Sequence, residues 1–342
     1  MNSSPSSLPA VDSPLVQVMD LQKWFPVQQG FLEQLFAGHK DYVRAVDGVS
    51  FTIQRGEVLG LAGESGSGKT TIGRLVLRLL EPTDGQILFD GQDITHLEGE
   101  ALRRLRSRMQ VVFQDPFASM NPRMRVGEQI GHPHQIHIPA TPEERRAVVE
   151  EIMEHVGLTP ARQIYDKYPH QLSGGMRQRA VLARALVTHP DLVVADEPIA
   201  MADVSVRALL LDLMKRLKDE FNLTYLFITH DLATAKYICD RIGILYLGRM
   251  VEIGPLKEVY GMPLHPYTQA LLEAVPVPDP RHRRTLAMPK GEIPNPINPP
   301  TGCRFHPRCP VARDHCAQEE PELRELRPDH LVACHYAEDY LT

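Results

Sequence analysis

The eight residues Gly63-Glu64-Ser65-Gly66-Ser67-Gly68-Lys69-Thr70 constrain this chain more than any other stretch. They fit the pattern G-x-x-x-x-G-K-[ST], whose glycines let successive backbone N–H groups turn inward around phosphate oxygens. The chemistry demands a setting. A buried strand must lead into the loop, and a helix must follow, with its positive N-terminal end facing the anion. Both are legible: residues 57–62 (EVLGLA) are a short apolar run, and residues 70–80 have helical spacing. Lys69 supplies a mobile charge for the terminal phosphates, and the Thr70 hydroxyl can bind Mg2+. At average composition a chance match in a chain this long is on the order of 1 in 100.

The remaining pattern fits an α/β fold around that loop. Residues 16–24, 44–53, 86–90, 109–113, 192–195 and 224–228 read as strands, and 204–221 as a helix. Residues 115–190 turn helical, with 143–156 the clearest amphipathic stretch. Strands alternating with helices imply a parallel sheet covered on both faces. No repeat is visible, so one nucleotide-binding domain is expected. Residues 26–42 read as an insertion with its own apolar pattern (Phe31, Leu32, Leu35, Phe36), and the Ser- and Pro-rich residues 1–14 as disordered. No run of about 18 apolar residues occurs, which predicts a cytosolic protein unless a membrane partner holds it. The net charge is −6 with acids and bases interspersed, which argues against nucleic acid as a partner.

Two further motifs bear on chemistry. Residues 192–198 (LVVADEP) bury a strand that ends in two acids. Asp196 is suited to reach Mg2+, and Glu197 to orient or deprotonate a water attacking the γ-phosphate. In Leu172-Ser173-Gly174-Gly175-Met176, a Ser and two Gly enter a helix and make a second anion-binding N-terminus. A simple helix cap is the plainer reading. The two phosphate-binding elements lie over 100 residues apart. That suggests two chains pairing head to tail, each Ser-Gly-Gly closing the other's loop.

GESGSGKT, Gln114 after MQVVF, LSGGM, ADEP, the Asp203 turn and His230 stand in the order of the ABC ATPase family, which the chain resembles over roughly residues 16–260. The resemblance implies a P-loop NTPase fold: a RecA-like core with an antiparallel β subdomain and a helical subdomain at about 115–190. The ATP-binding set would be Gly63, Glu64, Ser65, Gly66, Ser67, Gly68, Lys69, Thr70 and Thr71, with Ser173, Gly174, Gly175 and Asp203. Thr70, Gln114 and Asp196 would hold Mg2+. Gln114 would also sense a membrane subunit, His230 would contact the γ-phosphate, and Phe25 or Trp24, with Phe25 favoured, would stack on adenine.

A finer resemblance rests on QDPFASMNPRMRVGEQI, YPHQLSGGMRQR, DVSVRA and the tail HPYTQALLEAVPVPDP…GEIPNPINPPTGCRFHPRC. These look like the oligopeptide/dipeptide importer ATPases, and the insertion resembles the "F" subunit of that family. The implied organisation is a domain at 15–260 and a C-terminal extension at 261–342. The implied setting is the cytoplasmic face of a membrane, beside a "D"-type ATPase, two permease subunits and an extracellular or periplasmic solute-binding protein. Relatives of this type also move nickel or oligosaccharides. Where the family commonly has Ser-Ala-Leu-Asp, this chain has Ala200-Met201-Ala202-Asp203, which keeps the acid and loses a hydroxyl and a leucine.

Cys303, Cys309, Cys316 and Cys334 cluster in the tail, while Cys239 reads as core. Some members of the importer family hold an iron–sulfur cluster on this pattern, and four thiolates suit [4Fe–4S] or Zn2+ by ligand count, with His306 and His335 able to substitute in a zinc site. Four free thiols in a docking tail is the alternative. Two rival functions fit less well. A DNA-repair ATPase would insert a long coiled coil between the two glycine motifs, and a translation factor would carry two such domains.

Overall fold

The computed structural model describes residues 13–27, 41–275, 291–292 and 294–341. The expectations for residues 1–12 and for 28–40 of the insertion lie outside these. The strands in chain order are β1 (Val16–Pro26), β2 (Tyr42–Ile53), β3 (Val58–Ala62), β4 (Asp84–Phe89), β5 (Gln92–Asp93) and β6 (Met109–Val112). They continue with β7 (Leu192–Asp196), β8 (Thr224–Ile228), β9 (Arg241–Tyr246), β10 (Arg249–Pro255), β11 (Arg324–Arg327) and β12 (His330–Val332). They build a sheet of order β2-β1-β4-β5 and one of order β11-β12-β10-β9-β3-β8-β7-β6. Pairing from β9 through β3, β8 and β7 to β6 is parallel, while β10, β12 and β11 add antiparallel.

Every residue of β3 and β8 is buried, as a central parallel strand requires. The pleat then sorts side chains to two faces. Val58, Ala62, Val193, Ala195, Tyr225 and Phe227 join one hydrophobic cluster, and Leu59, Leu61, Leu192, Val194, Leu226 and Ile228 the other. The first is roofed by helices Val126–His137, Pro142–His155 and Gly174–Leu186 through Val126, Ile130, Ile152, Met153 and Val181. The second is covered by helix Lys69–Val76 and by the antiparallel sheet, through Ile72, Leu75, Val18, Val49 and Phe89. Local sequence supports these assignments. Thr141 caps its helix by accepting from Glu144 N at 3.2 Å while Glu144 accepts from Thr141 N at 2.8 Å. The helix expected over 70–80 stops at Val76. Arg78 takes a positive φ of 52° and turns its guanidinium inward to the Ile94 carbonyl at 2.8 Å.

The tail corrects an expectation. Its apolar periodicity is weak, and a metal centre on Cys303, Cys309, Cys316 and Cys334 is one reading of how it could be ordered. Among the described residues no group of three or more His, Cys, Asp or Glu side chains is arranged to hold a metal ion, so the [4Fe–4S] and zinc readings are both set aside. Burial favours the neutral thiol at three of these positions: it pushes Cys303 up to about 12 and Cys334 up to about 11, and it raises Cys309. His306 and His335 bond to the backbone carbonyls of Cys303 and Glu319, each at 2.9 Å.

Order comes instead from the core. β12 pairs with β10, opposing Val332 to Glu252, so the tail extends the central sheet. Phe305, 1% exposed, lies 5.3 Å from the ring centres of both Tyr246 and Tyr267. Burying a side chain of that size stabilises by about 3 kcal/mol. The fully buried Glu252 carboxylate accepts from Leu264 N, His265 N and His330 Nε2 at 2.8, 3.0 and 2.7 Å. Arg304 pairs with Asp47 of β2, which Trp24 Nε1 also reaches at 2.9 Å.

Candidate active site

The 63–70 loop connects β3 to helix Lys69–Val76, so its place follows from the packing of a fully buried strand. Two of its glycines are required by space as well as by backbone. Gly63 has φ 148°, and a Cβ there would sit 2.2 Å from the Leu245 carbonyl oxygen. Gly68 has φ 105°, and a Cβ would meet the Ala45 carbonyl oxygen at 2.3 Å. Lys69 is buried, and its Nζ donates to the carbonyls of Gly63 at 2.7 Å and Glu64 at 2.8 Å, and to Ser67 Oγ at 3.3 Å. Burial lowers its pKa, against the opposing pull of Glu197, Asp196 and Glu64. Three carboxylates thus surround the cation without bonding it, which leaves the ammonium to the loop.

β7 delivers the acids. Asp196 ends the strand, and the Thr70 hydroxyl donates to its Oδ1 at 3.1 Å. Burial raises the Asp196 pKa and the nearby Glu197 adds to the rise, while Thr70 opposes it. Glu197 follows with φ 50°, a left-handed conformation uncommon for a residue with a side chain. Its backbone is held at both ends, N to the Ile228 carbonyl at 2.9 Å and carbonyl to Ala200 N at 3.1 Å. Such strain persists only where the surroundings impose it, and it clusters at functional sites. It turns the Glu197 side chain toward Gln114 and His230. Gln114 Nε2 donates to Oε2 at 2.9 Å, and His230 Nδ1 bonds Oε1 at 2.9 Å.

Six expected residues therefore converge at the ends of four neighbouring strands, β3, β8, β7 and β6: Lys69, Thr70, Gln114, Asp196, Glu197 and His230. A Mg2+ ion of the kind that accompanies ATP would fit this end. It needs one or two protein oxygens, with phosphate and water supplying the rest, and Thr70 Oγ1 and Asp196 Oδ1 are such a pair. The other expected residues sit at element ends. Ser173 caps helix Gly174–Leu186, its Oγ accepting from Met176 N at 3.3 Å. Asp203 precedes helix Val204–Phe221. Gly175 and Val206 bring these two helix starts together: a Cβ on Gly175 would lie 3.5 Å from Val206 Cγ1. Phe25 is half-buried in β1 opposite Val43, with Lys23 Nζ 5.3 Å above its ring. Trp24 is engaged by Asp47 and by Arg44, whose guanidinium lies 5.0 Å from its ring centre.

Sequence reasoning missed a second set of residues on the same loop. Tyr267 Oη accepts from Glu64 N at 2.9 Å, and Arg308 donates to both Glu64 carboxylate oxygens at 2.8 and 3.0 Å. Arg308 is 244 positions from Glu64, and no motif links them.

Residues 46–200 match the "ABC transporter" family model, and residues 251–316 match "Oligopeptide/dipeptide transporter, C-terminal region". The chain is 50% identical over 324 residues to the oligopeptide transport ATP-binding protein AppF of Bacillus subtilis, covering 94% of this chain and 97% of that one. Among solved structures it resembles the ATP-binding cassette MJ0796, a dimer in a post-hydrolysis state bound to ADP and Pi. That likeness has a TM-score of 0.60 and 28% identity, over 70% of this chain and 98% of the other. It also resembles cbiO1 of Clostridium perfringens, part of the transporter complex cbiONQ. Here the TM-score is 0.62 with 26% identity, over 73% of this chain and 92% of the other. Such identity across almost the whole of both chains, together with the two family regions in sequence, shows that this chain belongs to the ATP-binding subunits of the oligopeptide/dipeptide ABC transporter family.

Proposed function

We propose that this chain hydrolyses ATP to power the import of oligopeptides or dipeptides, with Glu197 as the residue that handles the attacking water. The observation that carries the reading is the Glu197 carboxylate, bonded by Gln114 and His230 one residue beyond the Asp196–Thr70 pair. In this reading Glu197 orients the water and accepts its proton. Lys69 exchanges its loop carbonyls for the β- and γ-phosphates, while the 63–70 backbone N–H groups and Thr71 complete the cradle. Thr70, Asp196 and Gln114 would hold Mg2+, which when bound offsets the charge of the phosphates. His230 leaves Glu197 to contact the γ-phosphate, and Phe25 stacks on adenine.

The site is completed by a second ATPase chain, whose Ser-Gly-Gly element would cover this chain's loop as Ser173, Gly174 and Gly175 cover the other's. Support comes from the helix-capping geometry of Ser173, which leaves Gly174 with open space where a side chain would stand. The partner is inferred to be a "D"-type subunit. Among the described residues no helix is long and apolar enough to cross a membrane. Membership of this transporter family supports a place at the cytoplasmic face of the membrane, held by two permease subunits and supplied by a solute-binding protein. The division into a 15–260 domain and a 261–342 extension belongs to the same reading.

Reconstitution tests it. The chain, its ATPase partner, the permeases and the binding protein in liposomes should take up a labelled oligopeptide or dipeptide when ATP is supplied on the ATPase side. ATP turnover should rise several-fold with loaded binding protein. Stimulation by nickel or an oligosaccharide, with peptides inert, would overturn the cargo assignment and leave the ATPase assignment standing.

A further inference from the structure

Glu64 is the first variable residue of the 63–70 loop, and its polar groups are held from three directions. Its carbonyl accepts from Lys69 Nζ at 2.8 Å within the loop. Its N–H donates to Tyr267 Oη at 2.9 Å, from helix Pro266–Ala274. Its carboxylate takes a two-pronged bond from Arg308 in the tail, Nη1 to Oε2 at 2.8 Å and Nη2 to Oε1 at 3.0 Å. The two side chains are unequally exposed, 28% for Glu64 and 7% for Arg308. Arg308 is sunk in an aromatic box: its guanidinium lies 5.7 Å from the Tyr246 ring centre and 5.9 Å from that of Phe305, and Nη1 also reaches Tyr246 Oη at 3.3 Å. Tyr246 and Tyr267 are themselves 4.7 Å apart. A fork held between rings matches a carboxylate in one orientation only, so the pair fixes direction as well as charge.

The charge matters because of where it sits. A loop that collects N–H dipoles and one ammonium around phosphates gains nothing from a carboxylate at its second position. An unpaired charge several ångströms from a triphosphate, at the dielectric of a protein surface, opposes binding by about ten-fold. We propose that Arg308 is a positioning residue for ATP: it cancels the Glu64 charge and, together with Tyr267, fixes the first turn of the phosphate loop, so that the C-terminal extension sets the affinity of the nucleotide site. The proposal rests on the reading of the 63–70 loop as the phosphate cradle.

The test is steady-state kinetics of the assembled transporter, with binding of a fluorescent ATP analogue to the full chain measured in parallel. Arg308→Ala should raise the KM for MgATP about ten-fold and change kcat by less than two-fold. Glu64→Gln placed in the Arg308→Ala background should recover most of the lost affinity, because the repelling charge is gone. Arg308→Lys should fall between. The Arg308→Ala deficit should also shrink as salt is raised from 0.05 to about 0.5 M, since screening weakens repulsion between charges that reach solvent. A purely structural role predicts the reverse, with the double variant at least as weak as the single one and no salt effect. That outcome, or wild-type affinity in Arg308→Ala, overturns the proposal. If Arg308→Ala does not fold, Arg308→Lys with and without Glu64→Gln decides by the same recovery and salt criteria. Lys69→Ala separates the two levels. Undiminished analogue binding in that variant removes the cradle reading itself, whereas its loss beside a normal Arg308→Ala removes only the present one.

Discussion

The catalytic end of the central sheet and the clasp of the tail are both built from polar side chains around a carboxylate, yet they are held in opposite ways. Around Glu197 the bonds run between side chains that solvent reaches: His230 is 61% exposed and Glu197 18%. Around Glu252 they run between groups wholly out of water, with Glu252 and His330 both at 0%. The contrast follows from what each region has to do. In the proposed reading Gln114 and His230 are paired with a carboxylate they leave when the triphosphate arrives, and exposed hydrogen bonds cost little to exchange. Glu252 has no exchange to make. Its oxygens satisfy two backbone N–H groups and an imidazole, and breaking any of these would strand a buried polar group. The exposed set is built to rearrange and the buried set to persist, and they meet at Glu64.

The first way to break this comparison is Glu197→Gln, where the largest effect is expected. The amide keeps the shape and can still meet Gln114, but it cannot take a proton. Turnover by the assembled transporter should fall by roughly 10²–10⁴, while ATP affinity and the urea midpoint of the isolated chain stay within error. A variant that turns over normally removes Glu197 from the chemistry. One that loses stability as well would show that the catalytic end is structural after all.

Phe305→Ala addresses the other region. Emptying a site shared with Tyr246 and Tyr267 should cost about 3–5 kcal/mol and speed hydrogen exchange across β12. Because Tyr267 and Arg308 both touch this ring cluster and Glu64, weaker ATP binding should accompany the loss. A destabilised tail with unchanged ATP affinity would mean that the two regions meet without communicating.

These regions also differ in how much the sequence discloses. The catalytic end was legible because its chemistry forces local patterns. Gly63 and Gly68 must lack side chains, Lys69 must follow the turn, and Asp196 and Glu197 must end a buried strand. What local pattern could not supply was that Gln114 and His230 bond the same carboxylate, a result of β6, β7 and β8 lying side by side. The clasp was illegible for a different reason. Arg304, Arg308, Glu252 and His330 are isolated polar residues at separations from 78 to 257 positions from their partners. Nothing local distinguishes a residue that will be buried and paired from one that will be solvated. The cysteine cluster misled because spacing was visible, whereas the order provided by β12 and Phe305 was not.

A smaller effect should come from pH, and it should fall on the clasp. His265 caps helix Pro266–Ala274, its Nδ1 accepting from Tyr267 N at 3.0 Å. Burial lowers its pKa to about 4, against the pull of Glu252. The unfolded chain has a value near 6.5. Above about pH 6.5 both states are neutral and the contribution is complete. As pH falls from there toward 4 the unfolded state takes the proton first, and stability drains away. Between pH 7 and pH 5 the loss should be about 2 kcal/mol, read from urea midpoints. Asn serves well as a helix cap without titrating, so His265→Asn should flatten this dependence. An unchanged slope in that variant would move the titration elsewhere.

The smallest effect is expected at Phe25, and it sharpens the comparison from the side of the antiparallel sheet. Register sets Phe25 opposite Val43 on β2, two residues before Ala45, whose carbonyl lies against Gly68. The β1–β2 edge is thus tied to the phosphate loop, and an aromatic ring there is suited to stack on a base. Trp24, the competing choice, is committed to Asp47 and Arg44 and so to the clasp. The two neighbouring aromatic residues divide between the two regions. Phe25→Ala should weaken ATP by about 1–2 kcal/mol and leave unfolding nearly unchanged, and Phe25→Trp should restore binding because stacking accepts any large ring. GTP should be affected as much as ATP, since a stacked ring reads the face of a base and ignores its edge. Trp24→Leu should do the reverse, loosening the Asp47–Arg304 contact and lowering the urea midpoint with little change in nucleotide affinity. If Trp24→Leu is the variant that loses ATP, the base rests on Trp24, and the clasp reaches further into the nucleotide site than Glu64 alone.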